Sequence, residues 1–271
     1  MKDIVFARTR HVYDSYTDFW KLAELCDFET VYVDEIDIGR NAVYITAPFN
    51  GEWQHVRNHL GDVRNAYLVL WNLERPSGSG GVGEYARSNR ELLYNRELDD
   101  VWVSDRQLGA ETGFRFVVLG SHYNLGTVNE RKKWEFCHMS YVVNRRKTIY
   151  DQFMSHMIGY NCWGSERDEV LSGSKFALNV HQDIYPFQEP LRFALFAAYG
   201  LPIITETIKD SYPWAPEYMV YSSYDDIVKT LRGMMNSSYM TWRDMAIRAR
   251  DRMCDEYSFK DMVESAMEDL R

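Results

Sequence analysis

Short apolar runs alternate with longer segments of helical period along nearly the whole chain, and no other feature restricts the fold as much. A parallel strand covered on both faces reads as a continuous apolar run, whereas a helix packed on one side repeats apolar residues three and four apart. Runs of the first kind stand at 3–7, 30–33, 42–46, 66–71, 100–103 and 116–119. Between them, 14–26, 53–60 and 89–98 have the second character; in 14–26, Phe19, Leu22 and Leu25 share a face, with Asp14 and Ser15 available as caps. Segment 120–133 breaks the pattern with two glycines, a charge cluster and little periodicity, as an interdomain linker would. The alternation then restarts, with strands expected at 136–143, 157–160, 176–180, 202–205 and 218–221. Helices are expected at 148–156, 166–171, 190–199, 224–235, 239–256 and 260–270, with Arg145, Arg146 and Lys147 just before the first of them.

Two such series predict an α/β chain of two Rossmann-like, doubly wound domains facing a cleft, the first over 1–125 and the second from 126. A chain of 271 residues is long enough for that. Ligands of such folds sit beyond the carboxyl ends of the strands, so function is expected there. A net charge of −9 argues against nucleic acid as an obligatory partner, because phosphate binders carry a basic face. Cys26, Cys137, Cys162 and Cys254 are scattered without ligand spacing and read as reduced and mostly buried, which fits a cytoplasmic protein. The opening MKDIVFARTR is too charged for a signal peptide, and no apolar run approaches the ~20 residues that span a bilayer. A soluble protein is therefore expected.

The most informative stretch is 174–206, SKFALNVHQDIYPFQEPLRFALFAAYGLPIITE. A buried strand ends in His181 and Gln182; Glu189 then stands as a cap before Pro190, which suits the first position of a helix that stops at Gly200. The free amides at that helix start would carry partial positive charge toward the cleft and bind phosphate, and Arg192 in the first turn would add a bidentate contact. The glycine run at 78–83 lies too far from its strand for a dinucleotide fingerprint and reads as a mobile loop beside the cleft. Asp34 and Asp37 have the wrong spacing for a D-x-D metal motif, so neither metal nor cofactor is expected.

Ser174-Lys175, Leu178 to His181, Pro190, Arg192, Ala197 to Gly200 and Pro202 to Thr205 follow an order and spacing similar to the C-terminal half of GT-B glycosyltransferases, in the group-1-like families that include CgeB-type proteins. MSYVVNRRK at 139–147 resembles the strand and loop that open that half, and LVLWNLERP at 68–76 more weakly resembles a strand and acidic turn of the other. The resemblance covers most of the C-terminal half and little of the N-terminal one. It implies transfer of a sugar from a nucleotide-sugar donor, held on 126–245, to an unknown acceptor held on 1–125, with the helices of 246–271 crossing back to the first domain. Arg145, Arg146 and Lys147 would lie near the donor pyrophosphate, and His181, Gln182, Glu189, Pro190 and Arg192 would complete that site. Glu74 or His11 would serve as general base in an inverting enzyme, with Asp14 a further candidate. One position departs from the family: Leu195 stands where a glutamate usually holds the donor ribose, and Glu189 and Glu206, the candidates to substitute for it, do not sit at that position. That departure favours a second reading, a non-catalytic nucleotide- or glycan-binding protein of the same fold. A sugar-nucleotide epimerase would need paired acids near the cleft.

Overall fold

The structure, a computed structural model, describes residues 2–10, 17–48, 52–61, 65–73, 76, 81–142, 144–158, 162, 164–181, 187–214, 219–268 and 270. The chain divides into two units, Met1–Leu119 with Phe259–Arg271, and Gly120–Ser258.

The first unit runs β1 (Asp3–Arg8), α1 (Thr17–Leu25), β2 (Glu29–Tyr32), β3 (Ala42–Thr46), α2 (Glu52–Leu60), β4 (Tyr67–Asn72), α3 (Gly81–Tyr94), β5 (Asp100–Val103), α4 (Arg106–Thr112) and β6 (Arg115–Phe116). Its strands form one parallel sheet in the order β2-β1-β3-β4-β5-β6. The order reverses between β1 and β3, and right-handed crossovers on either side of such a point put helices on both faces. All of β3 is buried, which is why it reads as five apolar or small residues in a row. Aromatic rings fill the space under the sheet: Phe6, Phe19 and Trp71 all contact Phe259, the first residue of the last helix, Phe259–Glu268. The Phe259 ring stacks on Trp71 at 5.6 Å and 13°. Burying such a ring contributes ~3 kcal/mol, enough to hold the far end of the chain in this unit.

The second unit runs β7 (Trp134–Cys137), α5 (Asn144–Phe153), β8 (Met157–Ile158), α6 (Gly164–Gly173), β9 (Ser174–Asn179), α7 (Pro190–Ala198), β10 (Ile203–Glu206), β11 (Met219–Ser222), α8 (Ile227–Met235) and α9 (Tyr239–Asp255), with α10 the Phe259–Glu268 helix of the first unit. Its parallel sheet has the order β11-β10-β9-β7-β8, reversing between β7 and β9. Phe136, Phe153, Phe176, Leu178, Ile204 and Leu231 form its core on one side. Helix α7 is apolar nearly all round and buried accordingly. It ends where Gly200 adopts φ +62°, a left-handed conformation that glycine enters without a Cβ penalty. A Cβ there would also stand 2.8 Å from Cδ1 of Ile247 on α9.

Several expected boundaries shift. Helix α3 opens at Gly81, not at 89, so of the glycine run expected as a loop at 78–83, Gly81 to Gly83 belong to a helix, while 78–80 lie outside the described residues. Arg145, Arg146 and Lys147 lie inside the first turn of α5, not before it. The strands expected at 116–119 and 136–143 are cut to β6 and β7, although Val117 to Leu119 and Met139 remain buried. Burial makes an apolar run; only ladder pairing makes a strand. Helix α4 was not expected, although Asp105 caps its start by accepting from the Leu108 N–H at 2.8 Å and Gly113 closes it in the left-handed region. Among the described residues, no helix is long and apolar enough to cross a membrane. Cys26, Cys137 and Cys254 are buried.

Candidate functional site

In a parallel sheet, the crevice for a ligand opens at the carboxyl edge where the strand order reverses. In the second unit that point lies between β7 and β9, and the chain delivers charged side chains to it from four places. Helix α5, following β7, brings Arg145 and Arg146; the residue two beyond β9 is His181; β10 ends in Glu206; and α7 starts with Glu189, Pro190 and Arg192.

These groups are linked directly. A terminal nitrogen of Arg145 donates to Oε1 of Glu206 at 2.6 Å, and the other Glu206 oxygen accepts from the His181 backbone N–H at 2.6 Å. Arg146 donates from Nε to the Val180 carbonyl at 2.7 Å and reaches Oε1 of Glu189 at 3.4 Å. Arg192 donates to Oε2 of Glu189 and to Oδ1 of Asn179, both at 2.6 Å. The Arg145 guanidinium also lies 4.1 Å from the centre of the Tyr224 ring, while the Tyr224 hydroxyl donates to the Arg145 carbonyl at 2.9 Å. Arg146 is 4% and Glu206 6% exposed at the side chain, so these are pairs held largely out of water. Charges buried this way are tolerated only when partnered, and here each arginine has a carboxylate. Among the described residues, three guanidinium groups and two carboxylates make up these pairs.

Beside this network His138 is buried and neutral. Burial, then Arg146 and Arg192, push its pKa down to about 3. Its Nδ1 faces the Leu178 carbonyl at 3.1 Å; a carbonyl only accepts, so Nδ1 carries the proton. Nε2 is then bare and accepts from the Ser140 hydroxyl at 2.7 Å. The turn after β7 is thereby held by a neutral pair rather than a further charge.

Glu189 is the residue before α7, yet its side chain makes no cap hydrogen bond to the helix. It turns instead to Arg146 and Arg192. The first amides of α7 therefore keep their partial positive charge without a capping carboxylate from their own N-cap residue. An edge that gathers three guanidinium groups beside a helix N-terminus is suited to a phosphate or diphosphate.

Of the sequence candidates, Arg145, Arg146, His181, Glu189, Pro190 and Arg192 come together at this edge. Lys147 does not: its side chain is 63% exposed and pairs with Asp151 one turn on in the same helix. Gln182, His11, Glu74 and Asp14 lie outside the described residues. Asn179 in the network and His138 beside it carry no local signal that would single them out, since each is a polar residue in or just after a buried strand. Leu195 is buried within α7. Among the described residues no group of three His, Cys, Asp or Glu side chains gathers as a metal site.

The first unit has its own reversal, between β1 and β3, and among the described residues the first turns of α1 and α2 there each bury an acid, Asp18 and Glu52. Glu52, the first residue of α2, is 2% exposed. Its Oε1 accepts from the Thr9 backbone N–H at 3.3 Å and from the Thr9 hydroxyl at 3.2 Å, just beyond β1. Among the described residues its Oε2 is buried without a hydrogen-bond partner. Burial pushes the carboxyl up to about 7, against the opposing pull of Thr9 and, more weakly, Arg8. An acid in the first turn of a surface helix is an ordinary sequence feature, so only the tertiary packing singles Glu52 out.

Known proteins are similar to this chain in sequence and in fold. The sequence profile described as Glycosyl transferase-like matches residues 104–268, more than half of the chain. An uncharacterized protein of Acanthamoeba polyphaga mimivirus is 29% identical over 120 residues, a stretch that spans 41% of this chain and 40% of that relative. Anabaena HepE, solved in complex with UDP and glucose, has a TM-score of 0.67 at 9% identity, covering 100% of this chain and 99% of that one. TarM has a TM-score of 0.60 at 10% identity, covering 93% of this chain and 57% of TarM. At such identities the likeness is one of fold.

Proposed function

This chain belongs to the glycosyl transferase-like family and has the two-unit GT-B architecture, and on that premise we propose that it moves a sugar from a nucleotide-sugar donor to an acceptor. The carrying observation is the arginine network at the carboxyl edge of β7 and β9. Arg145, Arg146 and Arg192, with the first amides of α7, would take the donor diphosphate. As the bond from the anomeric carbon to the phosphate oxygen breaks, its electron pair goes to the diphosphate. Fixed positive groups already in place stabilise that charge more than mobile water does. His181 and Gln182 would contribute contacts to phosphate or sugar hydroxyls, with Glu189 and Pro190 setting the helix start. The acceptor is assigned to the first unit, and a proton acceptor for its hydroxyl would come from there, Glu74 and His11 being the sequence candidates. UDP-glucose is the first donor to try, because HepE has been solved with it.

The test is a thermal-shift screen with UDP-, GDP-, ADP- and CMP-sugars and their free nucleotides. A ligand at about 100 times its Kd stabilises the folded state by ~2.7 kcal/mol, so one nucleotide series should raise the melting temperature clearly. No shift with any of them would remove the donor assignment.

One observation favours a second reading. Leu195 replaces the glutamate that the family uses for the donor ribose, and it is buried in α7. A protein that binds nucleotide or glycan without turnover fits that loss. Slow release of UDP from UDP-glucose separates the two, since only the transferase hydrolyses its donor.

A further inference from the structure

A cavity of the first unit lies at the amino edge of its sheet, the end opposite the one where ligands of such folds are expected. Its floor is a row of Ile4, Val43 and Tyr67, which stand opposite one another on β1, β3 and β4, near the start of each strand. Partners in a parallel ladder point to the same face. Further along that face, Phe6 and Trp71 are covered by Phe259 at the start of α10. The other end of α10 does not close on the sheet in the same way. There Glu264, Met267 and Glu268 bound a cavity of about 630 Å³ over the row. Packed interiors hold few voids larger than a water molecule, whereas pockets of about 300–1,000 Å³ are the size that takes small organic ligands.

The charges around the cavity indicate what it would take. Glu264 and Glu268 are exposed and stand one turn apart on α10, where like charges repel, and neither has an ion-pair partner among the described residues. Against these two carboxylates the lining sets one ammonium, that of Lys2. The floor adds an aromatic face that already accepts a cation: Nζ of Lys2 lies 5.2 Å from the centre of the Tyr67 ring. That ring is held in place by its hydroxyl, which donates to the Asp99 carbonyl at 3.1 Å. Burial, then Asp100 and Asp99, push the hydroxyl up to about 12, so the charges around the ring favour a positive neighbour over a negative one.

We propose that this cavity binds a small organic ammonium ion, its apolar body on Ile4, Val43 and Met267 and its cationic head between the two glutamates and the Tyr67 ring. The site lies wholly within the first unit and does not depend on the transferase reading.

Phenethylammonium, 2-phenylethanol and phenylacetate carry one apolar body with a positive, a neutral and a negative head, and serve as probes. Titrated into the whole chain labelled at its Ile, Val and Met methyl groups, phenethylammonium should shift the resonances of Ile4, Val43 and Met267 saturably, with a Kd on the order of 1 mM. It should bind about fivefold tighter than the alcohol, with phenylacetate the weakest, the preference expected from two exposed ion pairs. The double variant Glu264→Gln, Glu268→Gln changes only exposed positions, so it should fold as the wild type does and lose that preference. Equal binding of the three probes, tighter binding of phenylacetate, or a preference that survives in the double variant would overturn the cation assignment. Shifts that do not saturate, or that fall on methyl groups away from this row, would overturn the site itself. No nucleotide enters the experiment, so failure of the donor assignment leaves its outcome unaffected.

Discussion

Replacing Glu52 with glutamine tests the electrostatics of the carboxyl edge of β1 and β3. In the folded chain the carboxyl holds its proton to about pH 7, whereas in the unfolded chain it ionises at its ordinary value of 4.5. Between those two values the folded state binds more protons than the unfolded state, so this group's contribution to stability is fully present below 4.5 and is lost as pH rises to about 7. At ~1.4 kcal/mol for each pH unit separating the two values, the loss comes to about 3 kcal/mol. Glutamine does not titrate, so the variant avoids it. The two proteins should therefore be nearly equal in stability at pH 4 and differ by about 3 kcal/mol at pH 8, with the variant the more stable. Urea melts of both proteins from pH 4 to 8, followed by tryptophan fluorescence, measure that difference; Trp20, Trp53, Trp71 and Trp102 report from the first unit. Parallel stability curves across the whole range would refute the reasoning, because they would mean that Glu52 ionises alike in both states.

Four further perturbations follow from the packing. Arg145→Ala should weaken UDP binding about tenfold, the loss of one charge-assisted phosphate contact, whereas Arg146→Ala should cost about 2 kcal/mol of stability as well, because Val180 and Glu189 lose a buried donor; calorimetric titration and urea melts separate the two effects. Phe259→Ala should cost ~3–5 kcal/mol in the first unit alone, so hydrogen exchange should quicken at β1 and β4 and stay unchanged at β9. Gly200→Ala should cost ~1–3 kcal/mol through its positive φ and the approach to Ile247, and a smaller residue at 247 should restore only the steric part of the melting temperature.

Where periodicity and tertiary role coincide, the fold is legible in the residues. Strand β3 is wholly apolar or small because both its faces are covered, and α7 announces itself by Pro190 at one end and Gly200 at the other. Helix α3 hides its first turn behind glycines of poor intrinsic propensity, and α5 opens with three cations that carry no apolar period. Asp105 and Gly113 flank α4 with sequence signals that are readable once sought. The donor edge is half legible: cations beside a strand end suggest a phosphate site, but the pairing of Arg145 with Glu206 joins residues 61 apart and exists only in the folded sheet. Glu52 was out of reach for the same reason, since its burial is a property of its surroundings and not of its neighbours in sequence.

The excursion of the chain from Leu119 to Phe259 sets an order of events during synthesis. All of Gly120–Ser258 leaves the ribosome before the residue that completes the aromatic cluster around Trp71. The inserted unit is continuous and can settle as soon as it emerges, while the unit that begins first must wait with part of its apolar surface uncovered. Through that interval the rings of Phe6, Phe19 and Trp71 lack the Phe259 ring that covers them in the folded unit, and apolar surface left open in this way is what makes a nascent chain prone to aggregate.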